Sequence, residues 1–280
     1  IQLKRVFKGD TYTIGKMSID GIYFCDTLED KNRDLNENGK FDNGEEKDKS
    51  LDTKKVESIN PDLTTSYDLT QALRLPENFG ICFMGPSAKG PFEISVEMAT
   101  QMLKAPKNVN GRPNSDVVRP VVNAADLVQE SRNLWTVDFG IMPQEDAAQY
   151  EMPFEYLKEN VFPIRSKNRR AAYAEKWWQY AEARPGMRKA LEGLERYIAT
   201  PTVAKHRIFV WLQSEVLCNQ RNLVFTRRDD YFFGILQSRI HEIWSLATAS
   251  WIGVGNDPVY NITTCFETYP FSWPPGKEDQ

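Results

Sequence analysis

A mixed α+β architecture is the fold class that the sequence predicts, and three features predict it. Residues 1–30 hold three short runs rich in β-branched and aromatic side chains, separated by Gly9-Asp10 and Asp20-Gly21. Residues 31–55 are highly charged and almost free of large apolar side chains. Beyond them, apolar stripes at helical spacing are interspersed with short apolar runs of strand length, with no internal repeat. The chain therefore divides into a truncated small β segment over residues 1–50, a linker over 51–57, and a larger unit over 58–280 built from short strands and long amphipathic helices.

Each element has its own local cause. Leu3–Phe7, Tyr12–Met17 and Ile22–Cys25 read as strands, with Asp20-Gly21 favouring a tight hairpin turn. Ser95 is placed to cap a short helix reaching Lys104, whose apolar residues are Val96, Ala99 and Leu103. Trp135–Phe139 alternates as a strand, and Pro143 then opens a helix with Glu145 and Asp146 near its positive end. Phe154, Leu157, Val161 and Ile164 form one helical stripe, which Pro163 kinks or restarts. Tyr173, Trp177 and Tyr180 form the next stripe. Arg196–Thr200, Arg207–Leu212 and Leu223–Thr226 read as strands, and Phe232, Leu236, Ile240, Ile243 and Ala247 lie on one face of a long core-facing helix.

Composition narrows the function classes. Hydrophobic residues make up 41% of 280 and charged residues 26%, which excludes a collagen, a low-complexity tail and a mostly disordered chain. No apolar run approaches the ~18 residues of a membrane span. The start, Ile1-Gln2-Leu3-Lys4-Arg5, lacks both an initiator Met and an apolar signal core. The expectation is a cytoplasmic protein whose natural start is missing, with a removed signal peptide left open. Cys25, Cys82, Cys218 and Cys265 lie far apart and the only histidines are His206 and His241, which argues against zinc and fits a reducing compartment.

Residues 34–45 match the spacing of a calcium loop. Asp34, Asn36, Asn38, Asp42 and Glu45 would supply oxygens to a hard cation, and Gly39 would permit the sharp turn. An ordinary solvated Asn/Gly-rich turn has the same composition, and no helical periodicity flanks the motif as in an EF-hand. Both readings stand at this point.

Positive charge is concentrated elsewhere. Residues 158–228 carry 15 Lys and Arg against 6 Asp and Glu, inside a chain of net charge −4. Tyr173, Trp177, Trp178 and Tyr180 are interleaved with these cations. On a continuous helix, Arg165, Arg169 and Lys176 fall within about 40° of one another and form a stripe able to follow a phosphate backbone. The alternative is a solvated helix face with its aromatics in the core. Lys205-His206-Arg207 is a second basic cluster, ahead of the apolar run Ile208–Trp211, where loop residues can donate to base edges or phosphates.

Several chemical motifs are excluded. Gly85–Gly90 imitates the glycine spacing of a P-loop, but Pro91-Phe92 stands where the lysine and hydroxyl should be. Gly253-Val254-Gly255 lacks the third glycine of a dinucleotide fingerprint. No Ser/His/Asp constellation is supported by spacing.

Longer strings carry a family resemblance. They are Gly111–Pro120, Phe154–Tyr173 with its Lys167-Asn168-Arg169-Arg170 core, Trp177–Tyr180, Arg196–Pro201, Val203–Arg207, Asp230–Gly234, Ser238–Glu242 and Thr263–Phe271. In these strings residues 58–276 resemble the C-terminal portion of MmeI-like adenine-specific DNA methyltransferases, single-chain restriction–modification enzymes. The resemblance implies a DNA target-recognition domain, with double-stranded DNA and the missing methyltransferase catalytic domain as partners and no membrane partner. Taken with the basic clusters above, it gives as candidate DNA contacts Arg112, Arg119, Arg165, Lys167, Arg169, Arg170, Lys176, Lys205, His206, Arg207 and Arg239. In the parent enzyme S-adenosylmethionine is the cofactor. This chain has neither the F-x-G-x-G cofactor loop nor the N-P-P-[YF] catalytic motif; Asn60-Pro61-Asp62-Leu63 matches only the first two letters of the latter. The expectation is therefore that it binds DNA, binds no cofactor other than the Ca²⁺ that the loop reading places at residues 34–45, and transfers no methyl group.

Residues 1–50 depart from that family. Lys4–Lys47, with Tyr12–Lys16 and Tyr23–Asp30, resemble the opening of a small phage-associated family of unknown function. A hybrid reading frame or an assembly artefact would produce such a join. It also leaves an alternative function, a Ca²⁺-binding phage or surface structural module driven by residues 1–50.

Overall fold

The computed structural model describes residues 69–253, 257–272 and 275, together with the backbone of three strands within residues 2–30. The chain separates into two compact units, residues 1–68 and 69–280.

In the first unit, β1 (Gln2–Lys8), β2 (Tyr12–Ile19) and β3 (Ile22–Asp30) form an antiparallel sheet in the order β1-β2-β3. These are the three strands expected from the sequence, with Ile19 facing Ile22 at the second connection. The calcium-loop positions Asp34, Asn36, Asn38, Asp42 and Glu45 lie outside the described residues, as does the linker over 51–57.

The second unit is α+β throughout. It opens with β4 (Cys82–Met84), β5 (Glu93–Ile94) and α1 (Val96–Lys104). Ser95 caps α1 as its sequence position demands, its Oγ accepting from Met98 N at 3.3 Å. The inward face of α1 is Ala99 and Met102; Val96 and Leu103, expected inside, are 42% and 37% exposed. There follow β6 (Val118–Val122), α2 (Ala124–Val128) with an Asn123/Asp126 capping box, and β7 (Trp135–Val137). Helices α3 (Gln144–Ala147), α4 (Glu151–Asn160) and α5 (Phe162–Arg165) come next. Pro143 sits at the N-cap of α3, and Pro163 lies in the first turn of α5, which restarts after the break at Val161.

The chain continues through α6 (Ala171–Glu175), α7 (Pro185–Leu191), β8 (Arg196–Pro201), β9 (Val210–Gln213), β10 (Leu217–Cys218) and β11 (Asn222–Phe225). It closes with α8 (Asp230–Leu236), α9 (Arg239–Ala247), β12 (Ser250–Ile252), β13 (Asp257–Val259) and a π-helical turn over Ile262–Phe266. The single long helix expected over residues 232–247 is two helices. The first ends at Leu236, and Ser238 caps the second, its Oγ accepting from His241 N at 3.2 Å. The restart rotates the buried face to His241 and Ser245, leaving Ile240 72% and Ile243 55% exposed.

Two four-stranded sheets organise this unit, in the orders β10-β6-β7-β5 and β4-β11-β8-β9. β10 runs parallel to β6, and the second sheet is antiparallel throughout. The central strand β8 is buried on both faces, and the two-residue strand period sends its side chains to two cores. Ile198 joins Phe209, Leu223, Phe225, Phe232 and Tyr260, while Tyr197 and Ala199 join Met187, Cys218 and Val224. A third core gathers Phe92, Val137, Phe139, Leu157, Trp177 and Trp178 beneath β7 and α4. The two sheets meet where Asn219 N donates to Val122 O at 2.9 Å and Asn222 Nδ2 to the same oxygen at 3.2 Å. Gly85 packs into this junction: a Cβ there would lie 2.2 Å from Asn219 O, so no other residue fits without moving backbone. Cys82, Cys218 and Cys265 are buried free thiols, and burial pushes Cys218 up to about 12. No helix of the described residues is long and apolar enough to cross a membrane.

Candidate nucleic-acid interface

The basic stretch expected to run along one helix is broken into helix, loop and helix. Asn168 causes the break. Its Oδ1 accepts from Arg170 N at 3.0 Å, a local turn that competes with the helical ladder. Arg165 ends α5, residues 166–170 are non-helical, and Lys176 follows the last residue of α6. The expected Arg165–Arg169–Lys176 helical stripe is thus absent. In its place, Lys167, Arg169 and Arg170 stand exposed on the loop between α5 and α6, with Lys176 exposed just beyond α6. Arg170 Nη1 donates to Tyr173 Oη at 2.9 Å, and its guanidinium lies 5.4 Å from that ring. Lys167, Arg169 and Lys176 form no ion pair among the described residues.

Arg165 corrects the expectation that it contacts DNA. It is 1% exposed and cannot reach a phosphate from this position. Its Nη2 donates to Ala88 O and, at 3.4 Å, to Gln179 O. Its guanidinium lies 5.4 Å from the Phe92 ring and 5.1 Å from the Tyr173 ring. Burial lowers its pKa, and Nε has no hydrogen-bond partner. Arg165 thereby ties the basic loop to Ala88, next to the exposed Lys89, a cation that the sequence reading met only inside the excluded Gly85–Gly90 motif.

Of the two readings of the interleaved aromatics, three of the four follow the core one, and Tyr173 is half-buried. Trp177, Trp178 and Tyr180 are 6%, 7% and 8% exposed and belong to the core. Trp178 Nε1 donates to Met142 O at 2.9 Å, and Tyr180 Oη shares a 2.5 Å hydrogen bond with Thr136 Oγ1. They offer no stacking platform to a base. Their strong apolar character outweighs their position among cations.

The second cluster divides in two. Lys205 and His206 are exposed on the loop between β8 and β9. Arg207 is turned inward, 5.3 Å from the Tyr260 ring, with Nε, Nη1 and Nη2 all buried and without a hydrogen-bond partner among the described residues. The expected base contact is not available to it in this conformation.

The remaining expected residues sit apart from these loops in the chain. Arg112 is exposed and pairs with Asp116 at 2.5 Å. Arg119 Nε donates to Glu215 O at 3.0 Å and Nη2 to Ser214 O, which holds its guanidinium against the β9–β10 turn. Arg119 and Asp116 line a cleft of about 700 Å³ with Arg188 and Lys189. Arg188 is committed to Asp138 through paired contacts of 2.8 and 2.9 Å, whereas Lys189 is exposed. Arg239, in the first turn of α9, is exposed and pairs with Glu242 at 2.6 Å. Among the described residues no group of three or more His, Cys, Asp or Glu is placed to hold a metal ion.

No family model and no curated protein matches this chain. Among solved structures, it is similar to the type IIL restriction-modification enzyme MmeI in complex with DNA, with a TM-score of 0.58 at 14% identity. The match covers 79% of this chain and 29% of that one, so the chain spans less than a third of that protein's length. At this identity the likeness is one of fold: the α+β arrangement described above is shared, at a coarse level, with a protein solved on DNA.

Proposed function

We propose that this chain is a sequence-specific DNA recognition module of a restriction–modification enzyme that methylates adenine at N6. The observation that carries this reading is the fold likeness to MmeI, together with exposed cations on two loops that the core holds in place. Lys167, Arg169, Arg170 and Lys176 supply phosphate contacts, and Lys205 and His206 extend the basic surface on a second loop. Phosphate contacts made this way set affinity and register, while base-edge donors set sequence. Arg112, Arg119 and Arg239 are secondary contacts, because protein carboxylates or carbonyls already occupy part of each guanidinium. Arg165 acts as a positioning residue for the first loop. Methyl transfer and S-adenosylmethionine belong to the other part of the parent enzyme. Incubating this chain with cofactor and duplex is expected to yield no N6-methyladenine.

A mobility-shift titration of a mixed-sequence duplex against salt tests the reading. Binding is expected to weaken linearly in log–log form as salt rises, because each phosphate contact releases a counterion. Chelator is expected to leave the binding unchanged, whereas a Ca²⁺ module using residues 34–45 would respond to chelator and ignore DNA. Absence of salt-dependent binding would remove the DNA reading.

A further inference from the structure

Of the guanidiniums that this fold encloses, Arg207 is treated differently from the rest. Arg188 is clasped by the Asp138 carboxylate, Arg119 by the carbonyls of Ser214 and Glu215, and Arg165 by the carbonyl of Ala88. Arg207 has all three nitrogens buried and none hydrogen-bonded among the described residues. The carboxylate that acts on it through space, Glu242, is held by Arg239 at 2.6 Å. Tyr260, whose ring lies 5.3 Å from the guanidinium, supplies only a cation–π contact. Thr202, five residues earlier, has a second orphan: its Oγ1 is buried without a partner. Thr202 O accepts from Tyr260 N at 2.8 Å, so both orphans border Tyr260.

We infer that the loop from Thr202 to Arg207 is an anion site whose ligand is a phosphate oxygen of a nucleic-acid backbone. The inference rests on the proposed function for the source of that phosphate. An enclosed guanidinium without partners is destabilising, and a sequence chosen for stability alone would carry an apolar residue there. Leaving the enclosure breaks no hydrogen bond of the guanidinium. The loop itself is anchored at both ends, by the Val203–Val259 bridge and by Thr200 Oγ1 donating to Ile208 O at 2.7 Å. Its middle, with the exposed Lys205 and His206, can therefore turn Arg207 outward without disturbing the sheet. A phosphate then receives two parallel N–H donors from the planar fork, a pairing that the interior does not provide.

The test uses the full chain and Arg207→Met, measured for thermal unfolding and for affinity to a mixed-sequence duplex at low salt. The variant is expected to unfold at the same or a higher temperature and to bind DNA about tenfold or more weakly. Arg207→Lys is expected to recover part of the affinity. A lower unfolding temperature, or a failure to fold, would show that the guanidinium is a structural element and overturn the inference, as would unchanged affinity. A separate arm compares inorganic phosphate with chloride at equal ionic strength. If the wild type binds no duplex but gains thermal stability from phosphate, and Arg207→Met does not, the anion site stands and the DNA reading falls. If neither probe acts through Arg207, the site falls.

Discussion

Acidification between pH 7.5 and pH 5 is expected to weaken the fold through one side chain, His241. Its imidazole is fully buried, with Nδ1 2.9 Å from Leu236 O and Nε2 2.9 Å from Tyr260 Oη. A carbonyl can only accept, so Nδ1 carries the hydrogen and Nε2 accepts from the tyrosine hydroxyl. A second proton would have to enter at Nε2, against that hydroxyl and close to the Arg207 charge. Burial first, and then Arg207, hold its pKa down to about 4, against an ordinary 6.5, while the hydrogen bond to Leu236 O acts in the opposite direction. The unfolded chain therefore takes up the proton first as pH falls. The stability from the neutral, buried ring is fully present above pH 6.5 and is lost as pH falls toward 4. Linkage between these two values gives a loss of about 2 kcal/mol at pH 5 and roughly 3.4 kcal/mol in the acid limit. Urea unfolding at a series of pH values reads this directly. His241→Phe removes the titration, and although it lowers stability at every pH, its curve should be flatter by that amount. Parallel curves for the two proteins over pH 5–7.5 would refute the reasoning.

Three further outcomes follow from the geometry. Arg169→Ala should weaken duplex binding to every sequence alike and reduce the salt slope by about 1, measured by titration at several salt concentrations; an unchanged slope would remove Arg169 from the interface. Asp138→Ala leaves the Arg188 guanidinium without its carboxylate in a largely enclosed site, and should cost about 3–5 kcal/mol in urea unfolding; a loss below about 1 kcal/mol would mean that solvent replaces the pair. Ser238→Ala removes the side-chain cap of α9 and should cost about 1 kcal/mol in urea unfolding; an unchanged stability would mean that the cap contributes nothing.

Features with a local cause are legible in the amino-acid sequence by itself. The α1 cap is Ser95 because a hydroxyl before an amphipathic run can reach the first free amides, and the break before α5 follows from Pro163, which cannot supply an amide to a continuing ladder. The strands of residues 2–30 and β8, β11 and the start of α8 follow from short-range pattern in the same way. The environments of the cations are not legible there. Arg165 finds its acceptor 77 positions away at Ala88, and Arg207 meets Tyr260 only when the β8–β9 loop and the end of β13 are brought together. Charge counting along the chain treats all arginines as equal surface groups. Folding sorts them by which distant carbonyl, carboxylate or ring each one meets. That is why Lys167, Arg169 and Lys176 stand exposed as their sequence pattern suggests, while Arg165 and the Trp177-Trp178 pair lie inside: desolvation and packing depend on neighbours in space, and spacing in the sequence carries information only about neighbours within a turn or a strand.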